Sequence, residues 1–157
     1  MSRRRRAEKR TIHPDPIFNS HVLEKFINKV MESGKKSLAR KIVYEALEKF
    51  AERVKVENPL DAFEQALENA KPSLEVKSRR IGGATYQVPI EIASDRRASL
   101  AMRWIILHAK TKPGRSMIDA LTMELVDCYN NQGTTIKKKD DMHRMAEANK
   151  AFAHYKW

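Results

Sequence analysis

The chain has 157 residues, 41% of them hydrophobic and 7% aromatic, enough for one domain with a largely aliphatic core. Its formal net charge of +11 opposes compaction unless a polyanion neutralises it, which points to RNA or DNA as partner. The longest apolar stretch, Leu100 to Ala109, is short and broken by Arg103, so a membrane span is excluded, and the single Cys128 cannot form an internal disulfide.

The first ten residues hold six bases (Arg3, Arg4, Arg5, Arg6, Lys9 and Arg10) against Glu8, with no apolar periodicity. They read as a disordered arm, residues 1–16, that orders on a polyanion. Met1-Ser2 offers no glycine for myristoylation, and no apolar core follows the basic head, so neither a lipid anchor nor a secretory signal is expected. His13-Pro14-Asp15-Pro16 sets an extended lead-in to a helical domain, residues 17–157.

From Asn19 the period becomes helical. Val22, Leu23, Phe26, Ile27, Val30 and Met31 share one face, with Asn19 or Ser20 as cap and Gly34 as stop. A second helix begins near Ser37, with Leu38, Ile42, Val43, Ala46, Leu47, Phe50 and Val54 inward. Asn58-Pro59 opens a third, which Pro72 ends. Apolar residues then alternate through Leu74 and Val76, and again through Tyr86, Val88, Ile90 and Ile92, around Gly82-Gly83, which predicts a β-hairpin over residues 74–92. Pro89 cannot donate to a ladder, so its nitrogen must face outward. Ser94 or Asp95 caps a fourth helix, broken by Lys112-Pro113-Gly114, and Ser116 caps a fifth that ends at Asn131 to Gly133. A last helix is expected from about Lys138 to Tyr155, with Asp140 and Asp141 as its cap and dipole partners. The fold expected is mainly α: a six-helix single domain with one protruding β-hairpin and the disordered basic arm.

No catalytic constellation emerges. Gly34-Lys35-Lys36-Ser37 lacks the upstream glycine and the preceding strand of a phosphate-binding loop, and the five histidines show no ligand spacing with one another or with Cys128. No cofactor, metal or small-molecule substrate is therefore expected, and Cys128 reads as a packing residue.

The charges remain. Lys35 and Lys36 oppose the dipole of the second helix, and Arg96 and Arg97 oppose that of the fourth, unless an anion is held there. Lys77, Arg79 and Arg80 crowd the hairpin beside a Gly-Gly tip that permits close approach of another chain, and Tyr86 and Gln87 follow. These residues, with the arm, form the expected RNA-binding set. Seven acids against three bases between Glu45 and Ala70 are expected to face away from the nucleic acid. The closing Ala151-Phe152-Ala153-His154-Tyr155-Lys156-Trp157 is open to two readings, an apolar tail folded on the body or a stacking surface for RNA.

Several blocks in order resemble one family, the seventh protein of the small ribosomal subunit in its bacterial and organellar form. They are Pro14-Asp15-Pro16, Gly34-Lys35-Lys36, Ser78 through Pro89 with its Arg79-Arg80-Ile81-Gly82-Gly83 turn, Leu100-Ala101-Met102-Arg103-Trp104, and Met145 through Trp157. The resemblance implies a non-enzymatic primary binder of the 3′ major domain of small-subunit ribosomal RNA that nucleates assembly of the subunit head. It implies that the hairpin, here Val76 to Ile92, lies near the exit site for transfer RNA and messenger RNA, with Arg79, Arg80, Gly82, Gly83, Tyr86 and Gln87 closest. Contact with the eleventh small-subunit protein is implied too, as is a cytoplasmic ribosomal location, or an organelle interior for an organellar gene. The rival reading is an architectural DNA-binding protein with a helical body and a β-arm. Its arm would carry an apolar or proline wedge at the tip, where this chain has glycines.

Overall fold

Three helix starts are set by side chains that the sequence supplies locally. Ser20 Oγ accepts from the Leu23 N–H, Asn58 Oδ1 from Leu60 N–H, and Ser116 Oγ from Asp119 N–H. In the computed structural model, which describes residues 10–155, these caps open α1 (His21–Val30), α3 (Pro59–Ala70) and α5 (Met117–Tyr129). Between and after them lie α2 (Lys36–Val54), a hairpin of β1 (Leu74–Ile81) and β2 (Ala84–Glu91), α4 (Ser94–Lys110), α6 (Gly133–Ala148) and a terminal 3-10 segment (Lys150–Tyr155). The basic head, residues 1–9, lies outside the described residues, as do residues 156–157.

The core gathers around α5, whose Leu121, Leu125 and Cys128 are fully buried against α2, α3 and α4. Phe26 of α1 meets Phe63 of α3 with ring centroids 5.1 Å apart, and both rings are fully buried. Burial of each such ring contributes up to about 3 kcal/mol. Of the predicted α2 stripe, Val43, Ala46, Leu47 and Phe50 are buried, but Leu38 is 52% exposed. It sits in the first turn, where it lines an open concavity with Met117 of α5. The lead-in is anchored by Asp15, a buried carboxylate that accepts from the N–H groups of Ile17 and Phe18 and from the Tyr44 hydroxyl. Burial first, and then the Asp15 carboxylate, push the Tyr44 hydroxyl up to about 12.

The hairpin pairs Ile81 with Ala84 and Leu74 with Glu91. Gly82 (φ 55°) and Gly83 (φ 91°) both lie in the left-handed region, as a two-residue primed turn requires. Ile92 N–H donates to Ser73 O at 3.0 Å, so every second pair counted from there exchanges hydrogen bonds. Pro89, opposite Val76, falls on the intervening positions, and its nitrogen faces outward as expected. The hairpin root is packed: Ile92 joins Leu100 and Trp104 of α4 in a small core with Met142 of α6, and His143 Nε2 accepts from Ser73 N–H at 2.9 Å.

The fourth and last helices differ in their bounds from the sequence reading, and the last also ends at Ala148 rather than near Tyr155, giving way to the 3-10 segment. The fourth helix is capped by Ala93, one residue before Ser94, with no side-chain cap hydrogen bond among the described residues. The last helix begins at Gly133, five residues before Lys138, and Asp140 and Asp141 lie in its interior, where Asp141 pairs with Arg144 at 3.1 Å. Its cap comes from another helix. Glu124 of α5, fully buried, accepts from Thr135 N–H (3.2 Å), Thr135 Oγ1–H (2.7 Å) and Thr134 Oγ1–H (3.2 Å). Lys112, in the α4–α5 loop, closes the network at 2.9 Å from Glu124 and 3.1 Å from Asp127. Since the Thr135 hydroxyl proton goes to Glu124, His108 Nδ1 acts as donor to that oxygen at 2.9 Å. Gly133 cannot be another residue: its φ is +87°, and a Cβ would stand 2.7 Å from Asp127 Cβ.

Burial alone would push the Glu124 carboxyl up, but the hydrogen bonds of Thr135 and Lys112 and the Lys112 charge outweigh it and hold the carboxyl below its ordinary range. A depressed folded-state carboxylate stabilises above its unfolded-state titration, and that contribution is lost as pH falls through the folded value. Glu124→Ala should therefore cost about 3 kcal/mol at neutral pH, seen in urea unfolding. The difference from the parent chain should shrink as the pH is lowered through the carboxylate range.

Candidate nucleic-acid interface

Several of the cations expected to bind RNA are already neutralised inside the fold. Lys36 and Arg40 of α2 meet Glu24, a buried residue of α1. Arg96 grips Glu75 of β1 through Nε (3.0 Å) and Nη2 (2.8 Å), and Lys77 stands 3.5 Å from the same carboxylate. Glu75 is itself buried, and although burial pushes its carboxyl up, Arg96 and Lys77 pull it below the ordinary range. Arg97 Nε donates to Ile92 O at 2.8 Å. The anions that these helix starts need are thus supplied by glutamates of neighbouring elements. Arg96 keeps a side chain 54% exposed, which leaves one edge of it open to a further anion.

The distal hairpin divides its charges. Arg80 is exposed and has no partner among the described residues, as are Gly82 and Gly83 at the tip. Arg79 instead donates to the Tyr155 carbonyl. On the other strand, the Tyr86 ring lies 5.3 Å from both Phe152 and Tyr155. The 3-10 segment therefore folds back on β2, which decides for the first of the two readings of the chain end as far as Phe152 and Tyr155 are concerned. Gln87 pairs with Ser78 across the strands, and Lys35, exposed at the start of α2, has no side-chain partner among the described residues.

A positive surface runs across α1 and α4, in which Arg10 belongs to the expected set while Lys25, Lys29 and Arg103 were missed by sequence reasoning. Of three adjoining concavities the central one shares Ile12, Lys25 and Asn28 with one neighbour and Lys29 with the other, so that together they form one groove from Arg10 to Arg103. Arg10, Lys25, Lys29 and Arg103 line it without an acidic partner among the described residues, and Asp95 is its carboxylate. Lys29 and Arg103 face each other as like charges, so burial and then Arg103 hold the Lys29 ammonium below the ordinary lysine range. Lys25 and Lys29 stand four residues apart on one edge of α1, and Arg103 interrupts an apolar run. Those were the available signals, but nothing local places positions 29 and 103 together.

A basic groove of this kind, flanked by a cationic hairpin, can hold a polyanion and contains no catalytic set. Residues 2–150 match the family of ribosomal protein S7p/S5e. The chain belongs to that family. It is 78% identical over all 157 residues, the full length of both chains, to small ribosomal subunit protein uS7 of Protochlamydia amoebophila (strain UWE25). Over the same full length it is 69% identical to the protein of that name from Chlamydia trachomatis serovar D and 68% identical to that of Chlamydia pneumoniae. The family resemblance read from the residue blocks is thereby borne out, together with the mainly helical fold and its hairpin. Membership of the S7p/S5e family also places the chain among structural, non-enzymatic proteins.

The contact between hairpin and chain end is testable. An aromatic pair is worth about 1 kcal/mol beyond its buried area, so Tyr86→Ala should raise chymotryptic cleavage after Phe152 and Tyr155 about fivefold. Cleavage elsewhere should stay unchanged, as limited proteolysis followed by mass spectrometry will read.

Proposed function

We propose that this chain is a structural constituent of the small ribosomal subunit that binds small-subunit ribosomal RNA through the α1–α4 groove. The observation that carries the reading is the juxtaposed, acid-free pair Lys29 and Arg103 in a groove also lined by Arg10 and Lys25. Like charges held together raise the energy of the free protein, and phosphates laid along them remove that cost. Displaced counterions then drive binding. The basic arm, with Arg3, Arg4, Arg5, Arg6 and Lys9 leading to Arg10, extends this footprint beyond the groove. Lys35, Arg80 and the open edge of Arg96 are further phosphate contacts, while Lys36, Lys77, Arg79 and Arg97 act mainly by holding the elements that present them.

Family membership favours the 3′ major domain as the RNA bound and nucleation of the subunit head as its consequence. On the same ground the exposed tip, Arg80 to Gly83, lies near transfer RNA and messenger RNA at the exit site, and the eleventh small-subunit protein is a neighbour. The relatives' names favour a location in bacterial ribosomes, hence the cytoplasm. Residues 1–9 serve as the RNA-ordered arm, while the rest of the lead-in, expected to belong to that arm, is tied to the folded body by Asp15 and Ile12.

The test is binding of the full chain to a 3′ major domain transcript across a potassium chloride series. Lys29→Ala with Arg103→Ala should weaken binding and lower the slope of log K against log salt by about 2. Deleting Ser2 to Arg10 should lower it by as much as about 5. Unchanged slopes in both would sink the reading, as would recovery of chromosomal DNA rather than small-subunit RNA after crosslinking in cells.

A further inference from the structure

We propose that the concavity between α1 and α4 receives one unstacked nucleobase, whose phosphates rest on the flanking cations. The inference rests on the RNA-binding reading of the groove and assigns its central part a distinct task.

A surface that only tracks a phosphate backbone needs cations and little else. The central concavity, about 460 Å³, has a mixed character: Val22, Ala98 and Met102 give it an apolar wall, Asn28 and Ser99 border that wall, and Lys25, Lys29 and Asp95 also line it. This is the size and lining of a small-ligand site, apolar with a few polar groups, rather than of a cationic shelf. Lys29 belongs to this concavity and to the adjoining one that holds Arg103, so the ligand it fits carries a flat apolar part and an anion side by side. A nucleotide has that combination. A duplex does not present it, because its bases are stacked inside, so the matching RNA element is a loop, bulge or strand end with a base turned out.

The polar border also lacks partners. The Asn28 amide and the Ser99 hydroxyl, both half-buried, make no hydrogen bond within the described residues. An amide supplies an acceptor and two donors, enough to engage the edge of a base. An apolar peptide side chain would leave Asn28 and Ser99 unsatisfied and Lys29 still facing Arg103. A nucleotide answers both, its base edge at Asn28 and Ser99 and its phosphate at Lys29 and Arg103.

Ala98→Leu fills the concavity without changing charge, and leucine is a good helix former at that position of α4. With the full chain and a 3′ major domain transcript, this variant should lose about tenfold or more in affinity, the worth of one seated base. The salt slope should not change. Asn28→Ala adds no bulk, keeps the fold secure, and should lessen the preference for this transcript over an unrelated RNA of equal length. Chemical probing should show one nucleotide protected at its base edge by the parent chain and exposed by Ala98→Leu. Parental affinity and protection in both variants, while the Lys29→Ala, Arg103→Ala chain binds poorly, would overturn the base site alone. If the double charge variant also binds normally, the interface itself is wrong. If Ala98→Leu loses helix content, Asn28→Ala decides.

Discussion

A carboxylate taken out of water must find cations and hydrogen-bond donors, and in this protein that requirement joins the elements to one another. Glu24, Glu75 and Glu124 are each buried at a junction: α1 with α2, the hairpin with α4, and α5 with α6. Their attraction to a partner charge roughly offsets their own desolvation, so they add less to net stability than an apolar core does. What they impose is geometry. Glu124 can stay ionised only if Lys112 reaches it and the first turn of α6 stands over it, which fixes where the last helix starts and how it runs past the hairpin root.

This internal demand divides the cations of a strongly basic chain into two populations. Lys36, Arg40, Lys77, Arg96 and Lys112 are held by the buried glutamates and work for the fold. Arg10, Lys25, Lys29, Arg80 and Arg103 have no acidic partner among the described residues and keep their charge for something outside the chain. A protein in the second condition tolerates self-repulsion while free and is relieved of it by any polyanion that covers those charges. The apolar core around α5 makes that tolerable, because its fully buried aromatic and aliphatic side chains do not depend on what the surface charges are doing.

The hairpin shows the same division on a smaller scale. Its root is buried between α4 and α6, its middle is clasped by Phe152 and Tyr155 against Tyr86, and its tip is exposed. A two-stranded ribbon is marginal alone, and the packing of its root and of Tyr86 allows the Gly82-Gly83 turn to be presented in a defined place.

By itself the sequence determined whatever depends on neighbours along the chain. Asn58-Pro59 and Ser116 mark helix starts because a cap bonds two or three residues ahead, and Gly82-Gly83 marks the turn because two successive positive φ angles need glycine. The ordered residue blocks determined the family in the same way, as strings. Contacts across the chain were decided only by the tertiary structure. Gly133 reads locally as a helix stop, yet it opens α6, because the cap that makes it a start is a glutamate on another helix. Arg96-Arg97 reads as a pair awaiting phosphate, yet the carboxylate that meets Arg96 comes from β1. The groove was least legible of all: Lys29 and Arg103 lie on different helices, and two cations become one positive surface only when packing brings them face to face.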